Sequence, residues 1–209
     1  MQPRGPKCRL CRRTGLKLFL KGERCFTVKC AIVRRNYPPG VQGAKKAKPR
    51  LSSYGLHLRE KQKARILYRV SEKQFSNYFQ KATRKVGNTG ELMIQLLETR
   101  LDNAIFRLGW ARSRDEARQF VGHGLFLVDG KKVTIPSFHV KVGQMISLKP
   151  SAVTKKTFLD IAPLLVKHQL PKWLHGEVGL FEAKVVSSPS MEDVGAVFDM
   201  KSIIEYYSK

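Results

Sequence analysis

The 209-residue chain contains no apolar run approaching the roughly 18 residues that a membrane-spanning helix requires. Its first residues also lack the apolar stretch of a secretory signal. A soluble intracellular protein with no membrane partner is the expectation. Acidic side chains are scarce, with 16 Asp and Glu against 40 Lys and Arg, a formal charge of +24. A molecule so charged repels itself unless an anionic partner neutralises it. No P-loop, nucleophile elbow, zinc-protease helix or glycine-rich dinucleotide turn is present, so no catalytic apparatus is recognisable. At 42% hydrophobic residues the chain still has enough apolar material for a real core, which excludes a wholly disordered basic tail.

The charge is unevenly spread. Residues 1–50 carry 15 basic and 1 acidic side chains, whereas residues 151–209 carry 7 of each. Solubility alone needs no such gradient. The front half therefore reads as a polyanion-facing surface and the last quarter as ordinary protein surface.

Cysteine is absent after residue 30, and all four fall before it: Cys8, Cys11, Cys25 and Cys30. Two close pairs separated by a short loop are what a tetrahedral metal needs, because each pair offers two thiolates from one tight turn. Lys7, Arg9, Arg12, Arg13, Arg24 and Lys29 surround them, and positive charge favours thiolates. Two disulfides are the alternative, disfavoured in a chain without a secretion signal. A redox-active Cys8–Cys11 pair lacks the preceding strand it would need. Zinc is the first choice, and an iron–sulfur cluster is equally compatible with four thiolates. Either role is structural, since four protein ligands leave no open position. Metal binding worth about 10–16 kcal/mol in zinc peptides would offset the weak apolar content of this segment.

Residues 36–55, NYPPGVQGAKKAKPRLSSYG, mix Pro, Gly and basic residues with almost no hydrophobic pattern. Such a segment is either a flexible linker or an extended arm that orders along phosphates. With Arg12, Arg13, Arg34 and Arg35 before it, Lys45, Lys46 and Arg50 are its candidate contacts.

Helical patterns follow. Residues 53–69 read as a basic helix that includes Arg59 and Lys63. Ser71 and Gln74 then form a capping box stapled by Val70 and Phe75. Phe75, Tyr78, Phe79, Ala82 and Val86 form a buried stripe opposite Lys73, Lys81 and Arg84. A longer helix is predicted over 90–108, stopped by Gly109, with Arg100, Asn103 and Arg107 along one flank. A short helix opens at Ser113 with Glu116 as its second capping-box member and Arg114 and Arg118 on its outer face. Gly122 and Gly124 end it. LFLVDGKKVT, residues 125–134, then gives the strongest hairpin signal, turning at Asp129–Gly130. Alternation at Phe138, Val140 and Val142 and a run from Met145 to Leu148 predict two further strands. The fold class is α+β: a mainly helical domain with an N-terminal four-cysteine knuckle and a small α+β module.

The stretch RLDNAIFRLGWARSRDEARQFVGHGLFLVDGKKV, residues 100–133, closely resembles the RNA-binding module named after ribosomal protein S-four. GPKCRLCRRTGLKLFLKGERCFTVKCA at 5–31, YPPG at 37–40, LREKQK at 58–63 and IIEYYSK at 203–209 extend the resemblance to the bacterial small-subunit ribosomal proteins of that family, nearly end to end. The resemblance implies that the module, 91–179 with core 99–150, is inserted into a helical domain of residues 51–90 completed by 180–209, behind a knuckle and arm at 1–50. It further implies early binding to the five-prime domain of small-subunit rRNA, as an assembly initiator. A place beside ribosomal proteins three and five, where messenger RNA enters, is also implied. The family's RNA-facing positions fall on Arg100, Asn103, Arg107, Ser113, Arg114, Arg118, Gln119, His123, Lys131 and Lys132. Family members commonly have Asn-Gly where this chain has Asp129–Gly130, which predicts a carboxylate near RNA.

Folded RNA suits this arginine-rich equipment, because its deep major groove hides base edges and leaves phosphates and 2′-hydroxyls to be read. Arg forks pair with phosphate oxygens through two parallel bonds. Three other functions compete. An RNA-modifying or tRNA-charging enzyme would need a separate catalytic domain, a DNA binder would need a recognition helix with its turn, and a stand-alone translational repressor or antiterminator would use the same surface.

Overall fold

The computed structural model describes residues 5–44, 51–165, 168–177, 180–195 and 197–208. Lys45, Lys46 and Arg50 lie outside them. The chain divides into two compact units, residues 1–93 with 196–209 and residues 94–195.

In the first unit, α1 (Lys7–Thr14) and α2 (Ala31–Arg34) flank a 3-10 turn at Gly22–Cys25. Leu18, Leu20, Cys11 and Ile66 form a small buried cluster, so the cysteine segment packs on the helical core and is not a separate knuckle domain. Ile66 belongs to α3 (Ser53–Leu67), whose Ser52 side chain accepts a hydrogen bond from Gly55 N, a cap overlooked in the sequence. The Ser71–Gln74 capping box opens α4 (Glu72–Thr83) with both reciprocal bonds present, and Val70 and Phe75 are fully buried beside it. The helix stops three residues short of Val86, which is fully exposed and does not extend the stripe.

The C-terminal helix α11 (Met200–Ser208) packs on α3. Lys61, within the helix read as basic, is 4% exposed. It donates to Glu72 at 2.7 Å and lies 4.3 Å above the Tyr206 ring. Tyr207 donates to the same carboxylate at 3.0 Å and stacks on Phe79. His57 pairs with Glu205, and the Asp199 amide donates to Glu60.

The predicted helix over 90–108 is two helices, α5 (Thr89–Glu98), within which the second unit begins at Ile94, and α6 (Leu101–Arg107). The break has a specific cause. Arg100 is extended (φ −62°, ψ 135°), and the backbone around it pairs with the segment 136–140: Leu101 N donates to Phe138 O, Val140 N to Thr99 O and Asp102 N to Pro136 O. Tertiary pairing thus overrides a helical pattern. It also corrects the strand expected at 138–142, which contributes one bridge, His139 to Arg100.

After the αL residue Gly109 (φ 77°), Ser113 caps α7 (Arg114–Gly122) by accepting from Glu116 N. The expected box is incomplete, because the Glu116 carboxylate takes Arg112 N instead of the Ser113 amide. β1 (Phe126–Val128) and β2 (Lys131–Lys132) form the hairpin, with Asp129 and Gly130 both at positive φ (49° and 74°) as a type I′ turn requires. β3 (Met145–Leu148) pairs antiparallel with β1, registering Phe126 with Leu148. Short α8 (Pro150–Val153) and α9 (Lys156–Leu165) follow. Two strands not anticipated from sequence, β4 (Leu174–Glu177) and β5 (Glu182–Val185), complete an antiparallel sheet ordered β2-β1-β3-β5-β4, and α10 (Met191–Val194) ends the unit. Because β5 sits between β3 and β4, residues 180–195 belong to this unit; the boundary lies at 195/196, not at 179/180. Trp110, Phe126, Phe158 and Phe181 meet in the core between the helices and the sheet.

The Glu72 cluster generates a pH prediction. Burial works against the Glu72 charge, but hydrogen bonds from Lys61 and Tyr207 and the charges of Lys61 and Arg65 outweigh it, holding the carboxyl below its ordinary 4.5. A carboxylate with a depressed folded pKa stabilises the fold above the unfolded value and loses that contribution as pH falls through the folded one. Tyrosine near-UV circular dichroism should therefore begin to decline below pH 4.5. Glu72→Gln should remove that portion of the acid limb and cost about 1–3 kcal/mol at neutral pH.

Candidate nucleic-acid interface

The sequence-predicted contact residues of the second unit converge on α6, α7 and the hairpin, but they differ sharply in what they present. Gln119, His123, Lys131 and Lys132 are exposed. Gly124 sits at φ 66°, a backbone angle that favours glycine, and the flexible end of Lys132 lies over it. Arg107, Arg114 and Arg118 are half-buried. Arg100, Asn103 and Ser113 are buried, and Arg100 has no exposed surface at all.

Two carboxylates that sequence reasoning passed over organise the arginines. Glu98, 0% exposed, ends α5 and accepts Nε and Nη2 of Arg107 at 2.9 and 2.8 Å together with Nδ2 of Asn103 at 2.7 Å. The Asn103 oxygen in turn accepts Nε of Arg114 at 2.8 Å, and the Arg114 guanidinium lies 4.4 Å over the Phe106 ring. Asp102 takes a bidentate fork from Arg100, at 3.0 and 2.7 Å, and stands 3.7 Å from Arg118. Arg100 and Asn103 therefore serve the lattice that fixes their neighbours, a correction to their expected place on the contact surface. Fork pairing of this kind fixes the plane of the guanidinium. No spacing rule reveals Glu98 as a partner of Arg107, because the helix break decides which residues meet.

The hairpin carboxylate is also committed internally. Asp129, itself exposed, accepts Gln144 Nε2 at 2.7 Å and Met145 N at 2.9 Å, tying the turn to β3.

In the first unit, Arg13, Arg34, Arg35, Arg59, Lys73 and Arg84 are exposed. Arg12 is half-buried and anchored to the carbonyls of Tyr37 and Pro38, and Lys63 pairs with Glu60. Cys8, Cys11, Cys25 and Cys30 are free thiols that line one small cavity, and three of them are buried. Burial, then the charges of Cys25, Cys8 and Cys30, push the Cys11 thiol above its ordinary value, against a backbone hydrogen bond at Leu18. The donor chemistry fits a metal, although among the described residues no three Cys, His, Asp or Glu side chains converge closely enough to hold an ion. No described helix is long and apolar enough to cross a membrane.

Paired helices on an antiparallel sheet, with arginines held at a half-buried surface and lysines beside them, define a polyanion-binding α+β module. Comparison with known families agrees: residues 99–146 match the S4 domain, and residues 2–98 match the Ribosomal protein S4/S9 N-terminal domain. Curated relatives are similar along nearly the whole chain. The small ribosomal subunit protein uS4 of Clostridium beijerinckii is 52% identical over 208 residues and that of Clostridium botulinum (strain Eklund 17B / Type B) 51%, each covering 98% of both chains. The protein of the same name from Heliobacterium modesticaldum is 50% identical over 205 residues, again 98% of both chains. This chain belongs to the uS4 family of small ribosomal subunit proteins.

The buried Glu98 gives a test with opposed signs. Removing a negative charge near a basic surface should tighten RNA binding if long-range attraction alone mattered. If Glu98 instead fixes Arg107 and Asn103, Glu98→Gln should weaken binding several-fold in filter assays held well below the melting temperature. Breaking one side of this pair should also cost about 3–5 kcal/mol in denaturant unfolding.

Proposed function

We infer that this chain is a structural, rRNA-binding constituent of the small ribosomal subunit, working in the cytoplasm within the ribosome and catalysing no reaction. The observation that carries this is identity of about half the residues with uS4 proteins over 98% of the chain. The physical basis is a +24 chain whose acidic groups beside the arginines face inward. Within that role it acts as a primary binder that nucleates folding of the five-prime domain of small-subunit rRNA. Its neighbours are ribosomal proteins three and five, and its basic residues contact messenger RNA as it enters. On the module, Arg107, Arg114, Arg118, Gln119, His123, Lys131 and Lys132 meet phosphates, while Arg100, Asn103 and Ser113 hold them in place. In the first unit Arg12, Arg13, Arg34, Arg35, Arg59, Lys63, Lys73 and Arg84 contribute, with Lys45, Lys46 and Arg50 in the arm.

Binding to an rRNA junction fragment should weaken steeply with salt, each phosphate contact adding about −0.7 to −0.9 to the log–log slope. In sucrose gradients the protein should travel with small subunits, and sedimentation only as free protein would reject the assignment.

A structural zinc ion held by Cys8, Cys11, Cys25 and Cys30 is part of the same proposal, supported by four free thiols around one cavity. Bound there, the metal would staple the two ends of a segment with little core of its own. Elemental analysis should return one zinc per chain in a colourless protein. Iron with visible absorption would replace zinc by an iron–sulfur cluster, and metal-free protein would remove the proposal.

A further inference from the structure

Arg107 is the last residue of α6, and different partners hold its side chain and its main chain. Glu98 takes the guanidinium through Nε and Nη2, at 2.9 and 2.8 Å. The main chain is held from far along the sequence. His168 donates from Nε2 to the Arg107 carbonyl at 2.8 Å, across 61 positions. A carbonyl oxygen only accepts, so this bond requires the imidazole to keep its proton on Nε2.

The bond meets a specific need. The final carbonyls of a helix lack partners inside it. α6 ends in a Schellman motif: Gly109, at φ 77°, donates from its amide to Phe106 O at 3.1 Å, and Trp110 N donates to Ile105 O at 3.2 Å. That motif satisfies the carbonyls of Phe106 and Ile105 and passes over the one on Arg107, which the imidazole serves. The fold keeps a place for the ring. A Cβ on Gly109 would lie 2.8 and 2.9 Å from His168 Cδ2 and Cγ and 3.0 Å from Leu165 Cδ2, so the ring lies directly against the glycine backbone. Leu108, Trp110, Leu165 and Leu170 line a small cavity together with it. The His168 amide donates to Leu165 O at 3.0 Å, which ties the ring's own backbone to the end of α9. His168 is exposed, and water competes for an exposed carbonyl. Water, however, ties a helix end to nothing, whereas an imidazole anchored at α9 fixes where that end stands.

The position of the helix end matters for Arg107 in particular. Helix ends fray by a residue or two, and in a helix of seven residues Arg107 is the fraying end. A guanidinium–carboxylate fork has strict geometry, so a shift at the root of the side chain pulls Nε and Nη2 away from Glu98. Holding root and tip together leaves less freedom to be lost when an anion binds. We propose that His168 is a positioning residue for the RNA contact of Arg107, acting on the arginine's main chain as Glu98 acts on its side chain. The proposal rests on the rRNA-binding reading of Arg107 and adds to it a residue that no local spacing points to.

The test uses two full-length variants. His168→Phe keeps a ring against Gly109 and lacks the donor, and His168→Gln supplies an amide N–H at similar reach. Both are measured well below the melting midpoint. In the free protein, heteronuclear NMR follows water exchange of the Arg107 Nε–H, with the Arg100 Nε–H, bonded to Asp102 at 3.0 Å, as internal reference. The expected result is that His168→Phe accelerates exchange at Arg107 and not at Arg100. It should also weaken binding to an rRNA junction fragment by about 2- to 10-fold, the factor one hydrogen bond is worth. His168→Gln should restore both readouts, and in an Arg107→Gln background His168→Phe should add no further loss. Parental exchange or parental affinity in His168→Phe, with Arg107→Gln weakened, would overturn the positioning role and leave the rRNA reading intact. Equal acceleration at both arginines would overturn it too, by showing a general loosening. So would a loss that His168→Gln shares in full or that persists undiminished in the Arg107→Gln background. Parental affinity in Arg107→Gln would overturn the RNA contact of Arg107 and the proposal together.

Discussion

The arrangement of the module depends on two buried carboxylates. Glu98 and Asp102 sit at the junction of α5 and α6, and an ionised group there is tolerable only when fully partnered. Arg107, Asn103 and Arg100 supply that partnership at hydrogen-bond distance. One constraint therefore does two things. It locks the helix break into the core, and it holds long, entropically mobile arginine side chains at defined positions before any ligand arrives. Preorganised forks lose less conformational entropy on binding than free ones.

The scarcity of acid extends this logic to the rest of the molecule. With few carboxylates available, those described are largely engaged within their own unit: Glu72 with Lys61 and Tyr207, Glu60 with Lys63, Glu205 with His57, and Asp129 with Gln144 and Met145. Pairing of negative charge within the molecule leaves the remaining balance positive, which is what a polyanion partner requires. The same logic makes both units depend on ion pairs in their interiors, so mutations of acidic residues reach stability and binding together.

Much of the local structure was legible in the sequence. Positive φ at two consecutive residues fits Asp-Gly, so the hairpin could be placed before any fold was known. The Ser71–Gln74 box and the Ser113 cap are equally local, since their partners lie three residues away. The basic front half was legible as a charge gradient, and the family as a resemblance.

What escaped the sequence is everything set by partners far apart in the chain. Local spacing predicted one helix over 90–108, and pairing of Arg100 with His139, 39 positions on, divided it. Arg100 and Lys61 look like surface cations by composition; the fold buried both because a carboxylate lay within reach. The place of β5 in the middle of the sheet rests on hydrogen bonds to β3 and β4 that no period announces. The sequence by itself determined charge, caps, turns and family, because these depend on neighbouring residues or on totals. Tertiary structure alone decided which cations face solvent and which are buried, because desolvation and pairing are properties of a position in space.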